Sequence, residues 1–318
     1  MERVTVLDTA VASKNQGDEI IMDAVSRNLS TMFPDAFFSS VATHEWMFGR
    51  SHELIRGATH TFAGGSNLIG SRLWLPGRLA NWKVGPHDAP FVRDVTLLGV
   101  GWHSYEKPPG LYTRWLLKSL LNHRLKHSVR DEYTKRMLES IGFDNVINTG
   151  CPTLWDLTPE HCAELPLRKA DRVVCTLNIN RPDRDLDREL LVTLKRHYRE
   201  VLLWVQTHAD HAYCESLGES VRFAPANLRG LDGLLDGDEP IDYVGNRLHA
   251  GIRALQKRRR TIILSIDNRA AEMGGDYALP TVGRDSFGEL SEMIESELET
   301  RIRIPQDRIE EWKSQFRP

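Results

Sequence analysis

Short apolar runs alternate with amphipathic helical patterns along nearly the whole chain, and that alternation leaves few folds open. In the first half, Val4–Leu7, Phe37–Val41, Thr59–Ala63, Val95–Val100, Lys126–Val129 and Val146–Thr149 read as strands. In the second half, Val173–Leu177, Val201–Gln206, Val221–Ala224, Asp242–Val244 and Ile262–Ile266 do the same. Between them lie helical patterns: one capped by Asp18, one opened by Asp131 and closed by Gly142, and others over 184–197, 227–236, 248–259 and 286–299. Strands that alternate with helices pair in parallel, through right-handed crossovers. The pattern lapses around 156–170, where Pro159 and Pro166 interrupt it. The expectation is an α/β protein of two Rossmann-like domains, 1–160 and 161–318, with parallel sheets facing a central cleft. The last helix is expected to pack back on the N-terminal domain.

Composition excludes several alternatives. A chain of 318 residues with 41% hydrophobic and 27% charged residues has room for two ordinary globular cores. A net charge of −3 gives no general grip on nucleic acid. The run Lys257–Arg260 is the local exception and reads as a solvated helix end, where cations complement the helix dipole. Cys151, Cys162, Cys175 and Cys214 form no CxxC pair, so no zinc site is indicated. Met1-Glu2-Arg3 runs straight into a strand, and no apolar stretch reaches the ~20 residues that span a bilayer. A cytoplasmic, reduced protein is expected.

Chemistry should gather where strands end, because parallel sheets bind ligands at their carboxyl edge. Ile241–Val244 is followed by Gly245-Asn246-Arg247-Leu248-His249-Ala250-Gly251, which sets an arginine and a titratable imidazole at the mouth of a helix. Asp267-Asn268-Arg269 ends the next strand, and Asp267 is a candidate to orient an imidazole. Val129 delivers Arg130 to a helix start, and guanidinium forks match phosphate and carboxylate. A salt bridge to a neighbouring carboxylate is the equal alternative for Arg130. Gly64-Gly65-Ser66 lets a ligand or another backbone come close, but it matches neither a dinucleotide fingerprint nor a phosphate loop. His103 is a further candidate donor. Trp74, Trp82 and Trp102 are read as core or rim packing, although indoles also stack on sugars. The stretch 111–126 combines Trp115, Leu116 and Leu120 with Arg114, Lys118 and Arg124. It suits a core-packed helix with a basic outer face, or a helix resting on an anionic membrane surface.

In this order and spacing, the pieces resemble the polysaccharide pyruvyl transferase family over nearly the whole chain. The elements are Asn15-Gln16-Gly17-Asp18-Glu19, Gly64-Gly65-Ser66, Ser128 to Glu132 with Leu138 to Gly142, Arg247-Leu248-His249-Ala250, and Asp267-Asn268-Arg269. The resemblance implies a GT-B-like fold, phosphoenolpyruvate as co-substrate, no other cofactor and no metal. The acceptor would be a glycan or lipid-linked oligosaccharide. It assigns Arg130, Arg247, Leu248, His249, His103 and Arg269 to phosphoenolpyruvate, with His249 and Arg247 catalytic. Asn15, Gly17, Asp18, Glu19, Gly65 and Ser66 fall on the acceptor side, and the C-terminal domain on the phosphoenolpyruvate side. Transient contact with the inner membrane face and a homo-oligomer are compatible with it. The chain departs from the family at Ala63, where a glycine is usual, at Arg269, where a lysine is usual, and in the basic run 257–260. A nucleotide-sugar glycosyltransferase and a non-catalytic glycan-assembly protein are the alternatives.

Overall fold

The structure, a computed structural model, describes residues 1–73, 82–266 and 268–317, with the backbone alone for 268–271. Trp74 and Asp267 lie outside the described residues, and so does the side chain of Arg269. The chain forms two compact units. The first comprises residues 1–13, 21–155 and 304–318; the second comprises 14–20 and 156–303.

The first unit is built from β1 (Arg3–Asp8), α1 (Gln16–Met32) from residue 21 onward, β2 (Phe37–Ala42), α2 (Arg50–Arg56), β3 (His60–Gly64), β4 (Val95–Leu98), α3 (Leu111–Leu120), β5 (His127–Val129), α4 (Glu132–Glu139) and β6 (Val146–Asn148). Its main sheet has the order β2-β1-β3-β4, all parallel. β5 and β6 pair in parallel beside it, tied by a bridge from Val100 to Val129. α1 begins before Asp18, so the expected cap is displaced. Asn15 Oδ1 accepts the Gly17 N–H at 3.1 Å, and Asp18 is buried in the first turn. Asp131 does cap α4, accepting the Thr134 N–H at 2.7 Å.

The second unit runs α5 (Pro159–Ala163), β7 (Arg172–Thr176), α6 (Arg184–His197), β8 (Glu200–Leu203), α7 (His208–Ser216), β9 (Arg222–Phe223), α8 (Leu228–Leu235), β10 (Asp242–Gly245), α9 (Leu248–Gln256), β11 (Thr261–Ser265), α10 (Asn268–Tyr277), β12 (Thr281–Gly283) and α11 (Phe287–Glu295). The strand order is β12-β11-β10-β7-β8-β9, parallel throughout. This is the dinucleotide-fold order, with the chain reversing direction across the sheet between β7 and β10. β12 is a strand the sequence pattern did not reveal; only Val282 of its three residues is buried.

α12 (Gln306–Ser314) returns to the first unit. Its Trp312 is fully buried beside Trp155 and Phe62, and its indole N–H donates to the Lys126 carbonyl at 2.8 Å. The basic run 257–260 follows the end of α9 and leaves Arg258 exposed, as expected of a solvated helix end; Arg260 departs from that expectation. Lys257 pairs with Asp236, Arg258 with Glu164, and Arg259 donates to the Leu235 and Gly237 carbonyls. Arg260 is buried and donates to Asp242 and to the carbonyls of Leu167, Met293, Ile294 and Ser296. A guanidinium offers more donors than an ammonium, in a fixed planar fork that reaches acceptors on several sides.

Candidate functional site

The strand order reverses between β7 and β10, the place at the carboxyl edge where such sheets bind ligands, and the Arg247–His249 turn follows β10 there. Two glycines let the backbone run this closely. A Cβ at Gly245 would lie 2.4 Å from Thr176 Oγ1, and one at Gly251 would lie 2.7 Å from Ile263 Cγ1. The first glycine lets β10 close on β7; the second lets α9 lie flat on the sheet.

Arg247 is buried, and its guanidinium is turned inward. Nη2 contacts both carboxylate oxygens of Asp210, and Nε donates to the Leu177 carbonyl at 3.2 Å. Asp210 is itself fully buried. It closes a capping box with Thr207 at the start of α7 and accepts the Ile179 N–H at 3.2 Å. The expectation of a fork held open for an anion is therefore corrected. Arg247 ties the ends of β7 and β10 to α7, and Nη1 is its one nitrogen without a partner among the described residues.

Two other features of the turn face toward ligand chemistry. The preceding helices of this unit are each capped by a side chain: α5 by Thr158, α6 by Asp183, α7 by Thr207 and α8 by Asn227. α9 has Arg247 at its N-cap and no side-chain cap. No cap side chain therefore competes for the start of this helix, the kind of end that receives anions. His249 is buried within that first turn, as is Leu248. Asn246, one residue before Arg247, is 4% exposed, and neither its Nδ2 nor its Oδ1 has a hydrogen-bond partner among the described residues. An amide in that state is costly unless a ligand completes it. Sequence reading passed over Asn246, because asparagine in a turn is ordinary.

Residues 14–20, counted with the N-terminal half in the sequence reading, belong to the second unit. Asn15 bridges Thr207, and Gln206 Nε2 donates to Asn15 Oδ1 at 2.6 Å. A Cβ at Gly17 would lie 2.6 Å from that same Nε2. Asn15 and Gly17 thus clasp the loop after β8. Asp18 is buried, and Glu19 is exposed.

In the first unit, Gly64-Gly65-Ser66 follows β3. Gly65 has φ +54°, and a Cβ there would meet Ile21 Cγ2 at 2.1 Å. The close approach is α1 packing on the sheet. Ser66 is buried, with φ +57°. Arg130 is buried, its Nε 3.1 Å from Asp131 Oδ2. The guanidinium lies over Gly101, where a Cβ would stand 2.1 Å from Nε. Burial pushes the neighbouring Cys151 thiol up. His103 is half-buried, and its backbone N–H donates to the Ile69 carbonyl at 2.8 Å. Trp82 and Trp102 are core residues, as expected. No helix among the described residues is long and apolar enough to cross a membrane.

A family described as Polysaccharide pyruvyl transferase matches residues 15–268. No curated protein matches the chain. Among solved structures, S. aureus MnaA with UDP is similar with a TM-score of 0.55 at 13% identity, covering 93% of this chain and 89% of that one. The UDP-GlcNAc 2-epimerase of Methanocaldococcus jannaschii gives 0.55 at 11%, covering 96% and 95%. At such identities the likeness speaks to the fold alone, a GT-B-like pair of α/β units.

Proposed function

This chain belongs to the polysaccharide pyruvyl transferase family, and from that premise we propose that it moves the pyruvyl group of phosphoenolpyruvate onto two hydroxyls of one sugar, closing a cyclic ketal and releasing phosphate. The acceptor is a glycan or a lipid-linked oligosaccharide. The carrying observation is a buried histidine, His249, inside the first turn of an uncapped helix at the switch point of its sheet.

The phosphate is received by the first amides of α9, with Arg247 Nη1 and Asn246 Nδ2 beside them. His249 delivers a proton to the methylene carbon. C2 then takes positive character, and a sugar hydroxyl adds there. The second hydroxyl displaces phosphate as the C2–O bond to phosphorus breaks. The two hydroxyl protons end on the new methyl group and on the released phosphate, so His249 returns to its starting state. A positioned acid of this kind contributes about 10²–10⁴-fold. Histidine suits the task because its ordinary pKa lies near ~6.5. Arg247 acts mainly through Asp210, by fixing where the turn begins.

An uncapped helix start receives a diphosphate on the same physics, and the two similar structures are MnaA with UDP and a UDP-GlcNAc 2-epimerase. Binding is therefore measured for phosphoenolpyruvate and UDP-GlcNAc side by side. Tight phosphoenolpyruvate binding supports the reading; binding of UDP-GlcNAc alone favours a nucleotide-sugar glycosyltransferase.

A lipid-linked acceptor would bring the enzyme to a membrane. α3 buries Leu116, Leu117 and Leu120 but exposes Leu111 at 82%, together with Tyr112 and Trp115, beside Lys118. Co-sedimentation with anionic liposomes, reduced by Leu111→Ser with Trp115→Ser, is the expected result. Absence of co-sedimentation removes this part of the reading.

A further inference from the structure

A second cluster of polar and aromatic side chains lies in the first unit, gathered around the carboxylate of Asp88. Asp88 is fully buried and holds two imidazoles: His52 Nε2 lies 2.8 Å from Oδ1, and His87 Nε2 lies 3.3 Å from Oδ2. Its Oδ2 also accepts the Gly85 N–H at 2.8 Å. Each imidazole orders an aromatic ring. His87 stacks on Phe48 with centroids 5.4 Å apart and meets Trp46 at 5.5 Å; His52 stacks on Phe91 at 4.5 Å. Yet these rings face solvent, with Trp46 45% and Phe48 63% exposed. Trp46 and Phe48 belong to the loop that leaves the carboxyl end of β2, the edge where parallel sheets bind ligands.

A buried carboxylate that organises exposed rings does not serve core packing. Large exposed aromatics grouped in one place mark a binding surface. The group has a flat apolar area made by indole and phenyl, and a polar edge made by imidazole. A pyranose has the matching anatomy, with C–H bonds on its face and hydroxyls around its rim. With His87 Nε2 directed to Asp88, Nδ1 is left to accept a hydroxyl proton. Gly85 keeps the space beside it clear: a Cβ there would lie 3.0 Å from His87 Nδ1 and 3.5 Å from Trp46.

We propose that Trp46, Phe48 and His87, positioned by Asp88, form a subsite for a pyranose ring of the acceptor glycan. The rings of Trp46 and Phe48 stack on the sugar, and His87 Nδ1 accepts a hydrogen bond from one of its hydroxyls. The identity of the ligand as an acceptor rests on the pyruvyl-transfer reading above; the sugar-binding chemistry rests on the cluster.

The test uses the full chain and a panel of methyl pyranosides of gluco, galacto and manno configuration, with saturation-transfer NMR for binding and phosphate release for turnover. Wild type shows saturation transfer to at least one pyranoside. Trp46→Ala, Phe48→Ala and His87→Ala each raise its dissociation constant and acceptor KM by about tenfold or more, the scale of one aromatic contact, while the KM for phosphoenolpyruvate stays within about twofold. Gly85→Ala has the same effect by filling the space. Phe37→Ala, an exposed aromatic at the far end of β2, changes neither. Thermal melts confirm that the variants fold. No saturation transfer to any pyranoside by wild type, or unchanged binding and KM in the three variants, overturns the subsite. Sugar binding lost in the variants with no phosphate released from phosphoenolpyruvate by wild type leaves the subsite standing and removes pyruvyl transfer instead.

Discussion

Arg247 lies against Asp210, its Nη2 2.5 Å from both carboxylate oxygens, with both side chains buried. The residue that most resembles a substrate clamp is thus a tie between β10 and α7. Removing one partner leaves the other charge buried and uncompensated, which costs about 3–5 kcal/mol. Arg247→Met and Asp210→Leu should each lose that much in urea denaturation, and the double variant should lose clearly less than the sum. Additive losses would show that the pair is not coupled. Activity loss in Arg247→Lys then reads as misplacement of the α9 turn, visible as a lower kcat together with a lowered melting temperature.

Asn246 should behave in the opposite way. Its buried amide has no partner among the described residues. Asn246→Leu is expected to hold or raise stability, since an unsatisfied buried amide costs about 1–3 kcal/mol, and to weaken phosphoenolpyruvate binding by about tenfold or more. Calorimetric titration beside a thermal melt separates the two effects. A destabilised variant with unchanged binding would make Asn246 a structural residue.

Gly65 tests packing against ligand approach. With φ +54° and Ile21 Cγ2 in the place of a Cβ, Gly65→Ala should cost about 1–3 kcal/mol. Ile21→Ala removes the clashing methyl, so adding Gly65→Ala to it should cost less than in the wild type. An acceptor contact at Gly65 would instead leave stability intact and raise the acceptor KM.

A pH term comes from His127, whose ring is fully buried between two backbone groups. Nδ1 faces the Leu97 N–H at 3.1 Å, and Nε2 lies 2.7 Å from the Asn122 carbonyl. A second proton would set N–H against N–H. Burial lowers its pKa from 6.5 to about 4, with His123 adding to the effect. The unfolded chain takes up this proton near pH 6.5, and the folded one only near pH 4. Stability is therefore lost as pH falls through that window, by an amount on the order of 3 kcal/mol. His127→Gln keeps one acceptor and one donor without titrating. It should flatten the difference between urea midpoints at pH 7 and pH 4.5; an unchanged difference would assign the pH term elsewhere.

Most strands were legible as short apolar runs bounded by turn residues, and β10 with its Gly245 to Gly251 turn was legible for the same reason. β12 was not, because Thr281, Val282 and Gly283 bury one apolar side chain between them. The partner of Arg247 lies 37 residues away on another helix, and no spacing rule reaches it. Asn15 to Glu19 read as part of the first half because chain order suggested it, whereas its packing on Gln206 and Thr207 is a tertiary fact. The His52–Asp88–His87 group joins segments 36 residues apart, and no local pattern in the sequence unites them. Arg260 read as part of a charged helix end, although its donors were enough to satisfy buried carbonyls.

Phosphoenolpyruvate incubated with a panel of glycosides, with phosphate release and product mass followed together, tests pyruvyl transfer most directly. The account predicts phosphate release that requires both substrates, a glycoside heavier by one pyruvyl ketal, and loss of both signals in a folded His249→Ala variant. No phosphate release across the panel, or full turnover by His249→Ala, would contradict it.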